Sequence, residues 1–138
     1  LNRNEARQNY AAPSFENIVI PQSDLFAARD EVLDVHMAEN LETYLLELIL
    51  ATRNPQAYGK DLENWLEYGA SPRATIALDR CARAFAWLDN RDYVTPDDIQ
   101  AIAFDVLRHR IILSYEAEAE GITTDRFINE LIHRVAVP

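Results

Sequence analysis

From Glu39 to about Asn54, Leu41, Tyr44, Leu45, Leu48, Ile49 and Thr52 recur at intervals of three and four residues, and Leu46 and Leu50 widen the apolar face. The spacing predicts an amphipathic helix, closed by Asn54-Pro55 because a residue before proline is pushed out of helical conformation. Upstream, Ser23 reads as the cap of a helix whose Phe26, Arg29 (by its stem), Val32, Leu33 and His36 share one face. Pro72 to Asp89 is apolar on most sides, with Ile76, Ala77, Leu78, Cys81, Ala82, Ala84, Phe85, Trp87 and Leu88, so it is expected to be the central helix, its alanines allowing close approach. After the turn Asn90-Arg91-Asp92, Thr95-Pro96-Asp97-Asp98 presents a cap, a proline and two carboxylates in a first turn. That helix buries Ile99, Ile102, Ala103, Val106 and Leu107 and finishes in Arg108, His109 and Arg110 near its negative end. Thr123 or Thr124 starts a last helix, with Phe127, Ile128, Leu131, Ile132 and Val135 on one face.

The segments between are less regular. Gln56 to Tyr68 has turn chemistry at Tyr58-Gly59-Lys60-Asp61 and an apolar group, Leu62, Trp65 and Leu66, suited to one or two helical turns over the core. Arg110 to Ser114 reads equally as extended chain or as continued helix, because so short an apolar run has no decisive period. Leu1 to Pro21 lacks a sustained period apart from Ile18-Val19-Ile20, which suits a short extended piece. The expected fold class is all-α: about five helices bundled around an Ala-rich central helix, with a linker over residues 1–21 and one domain over 22–138.

Composition narrows the chemistry. The formal net charge of −10 disfavours a general affinity for nucleic-acid backbone or an anionic membrane, so any phosphate contact is expected to be local. No apolar run reaches the roughly 18–20 residues of a membrane span; Glu47 interrupts the longest candidate. Cys81 is the single cysteine and sits in an apolar helical stretch, which points to a packed thiol and a reducing, cytoplasmic compartment. His36, His109 and His133 stand far apart, so no metal site is expected, and Gly59, Gly69 and Gly121 are too dispersed for a phosphate-cradling loop. Glu116, Glu118 and Glu120 read as a solvated run, and Trp65, Trp87, Phe85 and Tyr44 as core rather than a base-stacking platform. The polar opening Leu1-Asn2-Arg3-Asn4-Glu5 and a lone methionine at Met37 suggest a piece of a longer polypeptide.

One short motif is chemically pointed. Ser71 is a good helix N-cap, Pro72 suits the first helical turn because it has no N–H to lose, and Gly69 is expected to let the incoming backbone turn sharply. Arg73 then stands at the positive end of the helix dipole, where a cation is locally unfavourable and an anion is attracted. Arg73 therefore either pairs with one of this chain's many carboxylates or adds to the pull on a phosphate or carboxylate brought from elsewhere. Arg80 and Arg83 fall in the same sector of the helix.

The run Tyr68-Gly69-Ala70-Ser71-Pro72-Arg73-Ala74-Thr75, then Arg91-Asp92-Tyr93-Val94-Thr95-Pro96-Asp97-Asp98-Ile99 and Val106-Leu107-Arg108-His109-Arg110, closely resembles the C-terminal end of MoxR-family AAA+ ATPases. Glu116 to Gly121 and the closing Val135-Ala136-Val137-Pro138 fit the same pattern, and the resemblance covers about Ile20 to Pro138. It implies the helical lid that follows a nucleotide-binding core, with Arg73 as the second-sensor arginine reaching ATP, and Gly69, Ser71 and Pro72 positioning it. The family's Walker A and Walker B residues, first sensor and arginine finger have no counterpart here, so the fragment alone is expected to carry no catalysis and to bind no ATP or Mg2+ by itself. Arg80 and Arg83 are not carried over as nucleotide ligands; they face either a neighbouring subunit or carboxylates of the lid. Further implications are ATP and Mg2+ in the parent, ring neighbours and the chain's own core as partners, and a chaperone-like role on a client bearing a von Willebrand A domain or a metal cofactor. A stand-alone acidic helical adaptor is the competing reading, and a helix-turn-helix nucleic-acid binder is disfavoured by the charge.

Overall fold

The computed structural model describes residues 19–138. Among the described residues five long helices dominate: α1 (Gln22–Asp34), α2 (Glu39–Ala51), α4 (Arg73–Leu88), α5 (Pro96–Leu107) and α7 (Thr124–Arg134). Two short ones, α3 (Lys60–Trp65) and α6 (Tyr115–Ala119), and a 3-10 turn over Pro55–Ala57 join them. The all-α expectation therefore holds, with one addition. Strands β1 (Leu66–Tyr68) and β2 (Ile112–Leu113) pair antiparallel, Leu66 opposite Leu113 and Tyr68 opposite Ile112. Within Arg110 to Ser114 the chain is therefore extended at Ile112–Leu113, with Arg110 still in the turn that ends α5, and the end of Gln56–Tyr68 is strand rather than helix. Ile18 and most of the expected linker lie outside the described residues.

The bundle closes on side chains from α2, α3, α4, α5 and α7: Tyr44, Leu48, Leu62, Leu78, Ile99, Leu107, Phe127, Ile128 and Leu131 are all essentially inaccessible. Helix α4 packs along α5 and also meets α1 and α2, as expected of a central helix. Its buried face is narrower than the sequence suggested. Only Ala74, Leu78, Ala82 and Ala86 are fully enclosed, a stripe at strict four-residue spacing, while Ile76, Phe85 and Leu88 are exposed. Its neighbours leave part of the helix circumference open, so Phe85 does not join the core.

Helix α1 also departs from expectation. It starts at Gln22 after Pro21, without a side-chain cap, and Ser23 Oγ contacts Asp24 instead. None of its residues is buried, because it lies at the edge of the bundle against α4. His36 follows it as an exposed residue held through its backbone: its N–H donates to the Asp92 carbonyl at 2.7 Å, and its own carbonyl accepts from Val94 N–H at 2.9 Å.

Where caps were read from the sequence downstream, the backbone follows them. Thr95 and Asp98 form a reciprocal capping box at the start of α5, and Thr123 Oγ1 accepts from the Arg126 N–H to open α7. Asp98 does more than cap. It is almost fully buried and also receives a two-pronged bond from Arg91, at 2.7 and 2.6 Å. Burial works to raise its pKa, but the Arg91 guanidinium and the Thr95 backbone and hydroxyl together hold it below the ordinary carboxylate value.

Candidate functional site

The Arg73 site is built from a loop whose ends are buried and whose middle stands out. Ala70 and Ala74 are fully enclosed, whereas Ser71, Pro72 and Arg73 between them are exposed. Ser71 Oγ accepts from the Arg73 N–H at 3.3 Å, and the Ser71 carbonyl accepts from Ala74 N–H at 2.8 Å. Pro72 already has helical dihedrals, φ −53° and ψ −26°. Ser71 thus works as the cap, with Pro72 as the first residue in helical conformation.

Gly69 serves a purpose other than the expected sharp turn. It has no positive φ; instead its Cα lies hard against the end of α2, where an added Cβ would sit 2.6 Å from the Thr52 carbonyl carbon and 3.1 Å from the Arg53 nitrogen. Only hydrogen fits between the two backbones. The same junction carries two more bonds. Ala70 N–H donates to Thr52 Oγ1 at 3.0 Å, and Arg53 Nη1 donates to the Ala70 carbonyl at 3.3 Å. On the approach side, β1 is fixed by β2, and Ser114 N–H donates to the Trp65 carbonyl at 2.8 Å.

Arg73 is exposed, and its guanidinium has no carboxylate or hydrogen-bond partner among the described residues. Arg29, Arg80 and Arg126 likewise have no carboxylate partner among the described residues, so what sets Arg73 apart is its place at the start of α4. The other charged side chains divide. Arg83 turns into the domain, bonding Asp79 Oδ1 at 2.9 Å and the Val35 carbonyl, with Glu42 at 3.9 Å, which takes the lid-carboxylate alternative for this residue. Arg91, Arg108 and Arg134 pair with Asp98, Asp125 and Asp61. Arg80 is exposed and borders an open groove of about 540 Å³ between α1 and α4, lined also by Phe26, Val32, Trp87 and Leu88.

Sequence reading missed Thr52 and Arg53. Thr52 fits the apolar period of α2 and looks like a core position, and its bond to Ala70 spans 18 residues. No local signal reports such a contact. Among the described residues, no three His, Cys, Asp or Glu side chains gather as a metal-binding group, and no helix is long and apolar enough to cross a membrane. Cys81 is a free, half-buried thiol against the core.

With this geometry in hand, comparisons with known proteins are specific. The family model of the AAA lid domain matches residues 60–131. Chaperone MoxR1 of Mycobacterium tuberculosis is 35% identical over 121 residues, covering 87% of this chain and 32% of that protein. The uncharacterized protein YeaC of Bacillus subtilis is 37% identical over 120 residues, 87% of this chain and 35% of YeaC. Protein MoxR of Paracoccus denitrificans is 39% identical over 94 residues, 63% of this chain and 28% of that protein. A crystal structure at 2.00 Å of a candidate ATPase from Cytophaga hutchinsonii superposes with a TM-score of 0.85 at 41% identity, covering all of this chain and 44% of that one. The chain spans about a third of the length of the curated relatives it matches.

Proposed function

This chain belongs to the AAA lid domain family, as a lid of the MoxR type, and from that membership we propose that it senses nucleotide for a ring-forming ATPase through Arg73. The observation that carries the reading is the free guanidinium at the mouth of α4. It is exposed, unpaired among the described residues, and set at a capped helix start whose dipole favours an anion. A guanidinium there supplies planar, charge-assisted donors matched to phosphate oxygens.

In this reading a nucleotide-binding core outside this chain holds ATP with Mg2+, which supply the anion and the chemistry of its cleavage. This chain's own residues do the rest. Gly69 lets the loop approach α2, Ser71 and Pro72 start the helix, and Arg73 reaches toward the γ-phosphate when lid and core close. Because Arg73 contacts phosphate in the closed arrangement and not in the open one, nucleotide state biases the lid angle. The lid then transmits that bias to the core and to neighbouring subunits in a ring, in a cytoplasmic, chaperone-like remodelling machine. The name of Chaperone MoxR1 supports the chaperone assignment. A client with a von Willebrand A domain or a metal cofactor is part of the same proposal. Residues 1–21 are its linker from the core.

In the full-length protein, Arg73→Ala is expected to lower ATP turnover by at least tenfold, about 1.4 kcal/mol of transition-state stabilisation, with the melting temperature unchanged because the side chain is exposed and its guanidinium makes no hydrogen bond or ion pair among the described residues. Steady-state ATP hydrolysis at saturating nucleotide measures it. Turnover equal to that of the unaltered protein would overturn the sensor assignment and favour an adaptor that binds partners through its acidic helices.

A further inference from the structure

We propose that Thr52 and Arg53, at the end of α2, are positioning residues for Arg73, a clamp that fixes the loop from which the sensor projects. This rests on the reading of Arg73 just given and extends it to residues far away in sequence. Three contacts carry the proposal. Thr52 is fully buried, and its hydroxyl is used twice, donating to the Ile49 carbonyl at 2.7 Å and accepting from Ala70 N–H at 3.0 Å. Arg53 Nη1 donates to the Ala70 carbonyl, so both backbone polar groups of a fully buried residue are held by one dipeptide. Gly69 brings its backbone against that same dipeptide at a distance no side chain permits.

The consequence is geometric. Arg73 lies three residues beyond Ala70, and the intervening Ser71 and Pro72 are already committed to capping and to helical dihedrals. With Ala70 pinned on one side and Ala74 buried in the bundle on the other, the guanidinium swings from a fixed base. A side chain that must meet one phosphate oxygen gains from a pre-set base, since displacements near 1 Å cost on the order of a hundredfold in rate. The clamp also joins the sensor loop to α2, so a rotation of α2 within the lid moves Arg73 with it.

The test is a double-mutant cycle on ATP hydrolysis by the full-length protein. Thr52→Val keeps the shape and removes the hydroxyl; it is expected to lower kcat about ten- to a hundredfold, with KM for ATP little changed, and Thr52→Ser is expected to restore it. Arg53→Ala, at an exposed position that does not endanger the core, is expected to lower kcat in the same direction by a smaller factor. In an Arg73→Ala background neither substitution should reduce turnover further, because both act through Arg73. Where Arg73→Ala itself lowers turnover, equal losses in the two backgrounds, or full activity of Thr52→Val and Arg53→Ala, would overturn the clamp. Hydrogen exchange of the peptide holding Ala70 separates the two readings. If Arg73→Ala leaves turnover intact the sensor fails, and slow exchange at Ala70 that Thr52→Val accelerates still upholds the clamp, whereas unaltered exchange removes it.

Discussion

At Gly69 one added carbon would fall well inside contact distance of the Thr52 carbonyl, and neither backbone is free to yield: one ends α2 and the other starts α4. Gly69→Ala is therefore expected to destabilise the domain by about 1–3 kcal/mol, the usual cost of forced overpacking, and to lower its denaturant midpoint; a midpoint within error of the unaltered protein would mean that the two segments separate cheaply. The neighbouring residues show how much of the site could be read beforehand. Ser71, Pro72 and Arg73 were legible because capping is a matter of two or three adjacent residues. The need for glycine at 69 was legible, but its reason was not, since a close approach between segments 17 residues apart leaves the same single letter as a tight turn.

Helix α4 shows what element-scale patterning can and cannot specify. Its buried stripe, Ala74, Leu78, Ala82 and Ala86, is mostly alanine, and such small side chains let α5 and its other neighbours lie close. Ala82→Leu introduces three carbons where no space is left and is expected to cost about 1–3 kcal/mol or more. Ile76→Ala on the same helix removes an exposed side chain and should stay within about 0.5 kcal/mol. Thermal or urea unfolding of the two variants checks the contrast, and similar losses in both would place the core on the wrong face. The sequence marked α4 as central but could not say which of its apolar residues face inward, because both Ile76 and Leu78 suit a helix and only the positions of α1, α2 and α5 decide between them. Helix α5 posed no such problem, since its capping box is local and appears as read. Strands β1 and β2 are three and two residues long, too short to show alternation, and exist because each finds the other.

Across the whole molecule, the last helix is tied back to the middle of the chain. Arg134 donates to both oxygens of Asp61, at 2.7 and 2.6 Å, and to the Tyr58 carbonyl at 3.2 Å, clasping α7 to the first turn of α3 and the turn before it. The Arg134 hydrogen bonds lower the Asp61 pKa from its ordinary 3.8 to about 2. The folded state thus holds this proton more weakly than the unfolded chain, so stability from the pair is complete above the ordinary carboxylate range and disappears as pH falls through about 2. Asp98, also lowered, adds loss in the same direction. Asp61→Asn should leave the domain less stable at neutral pH and shrink that difference progressively below pH 4, by a modest amount because the Asp61 side chain is 43% exposed. Urea unfolding of both proteins across that range checks it; parallel curves would mean that the clasp contributes nothing.

By itself the sequence determined the long helices, the caps of α5 and α7, the acidic surface and the Ser71-Pro72-Arg73 motif, because periodicity, capping and charge act over a few neighbouring residues. Tertiary structure decided which face of α4 is buried, how little of α1 is covered, that Arg83 turns inward while Arg73 does not, and that Thr52 and Arg53 hold the loop before the arginine. Those outcomes depend on groups that meet only after the chain has folded, and on the cost of leaving a buried N–H or carbonyl without a partner, which the Thr52–Ala70 junction meets across 18 residues of sequence.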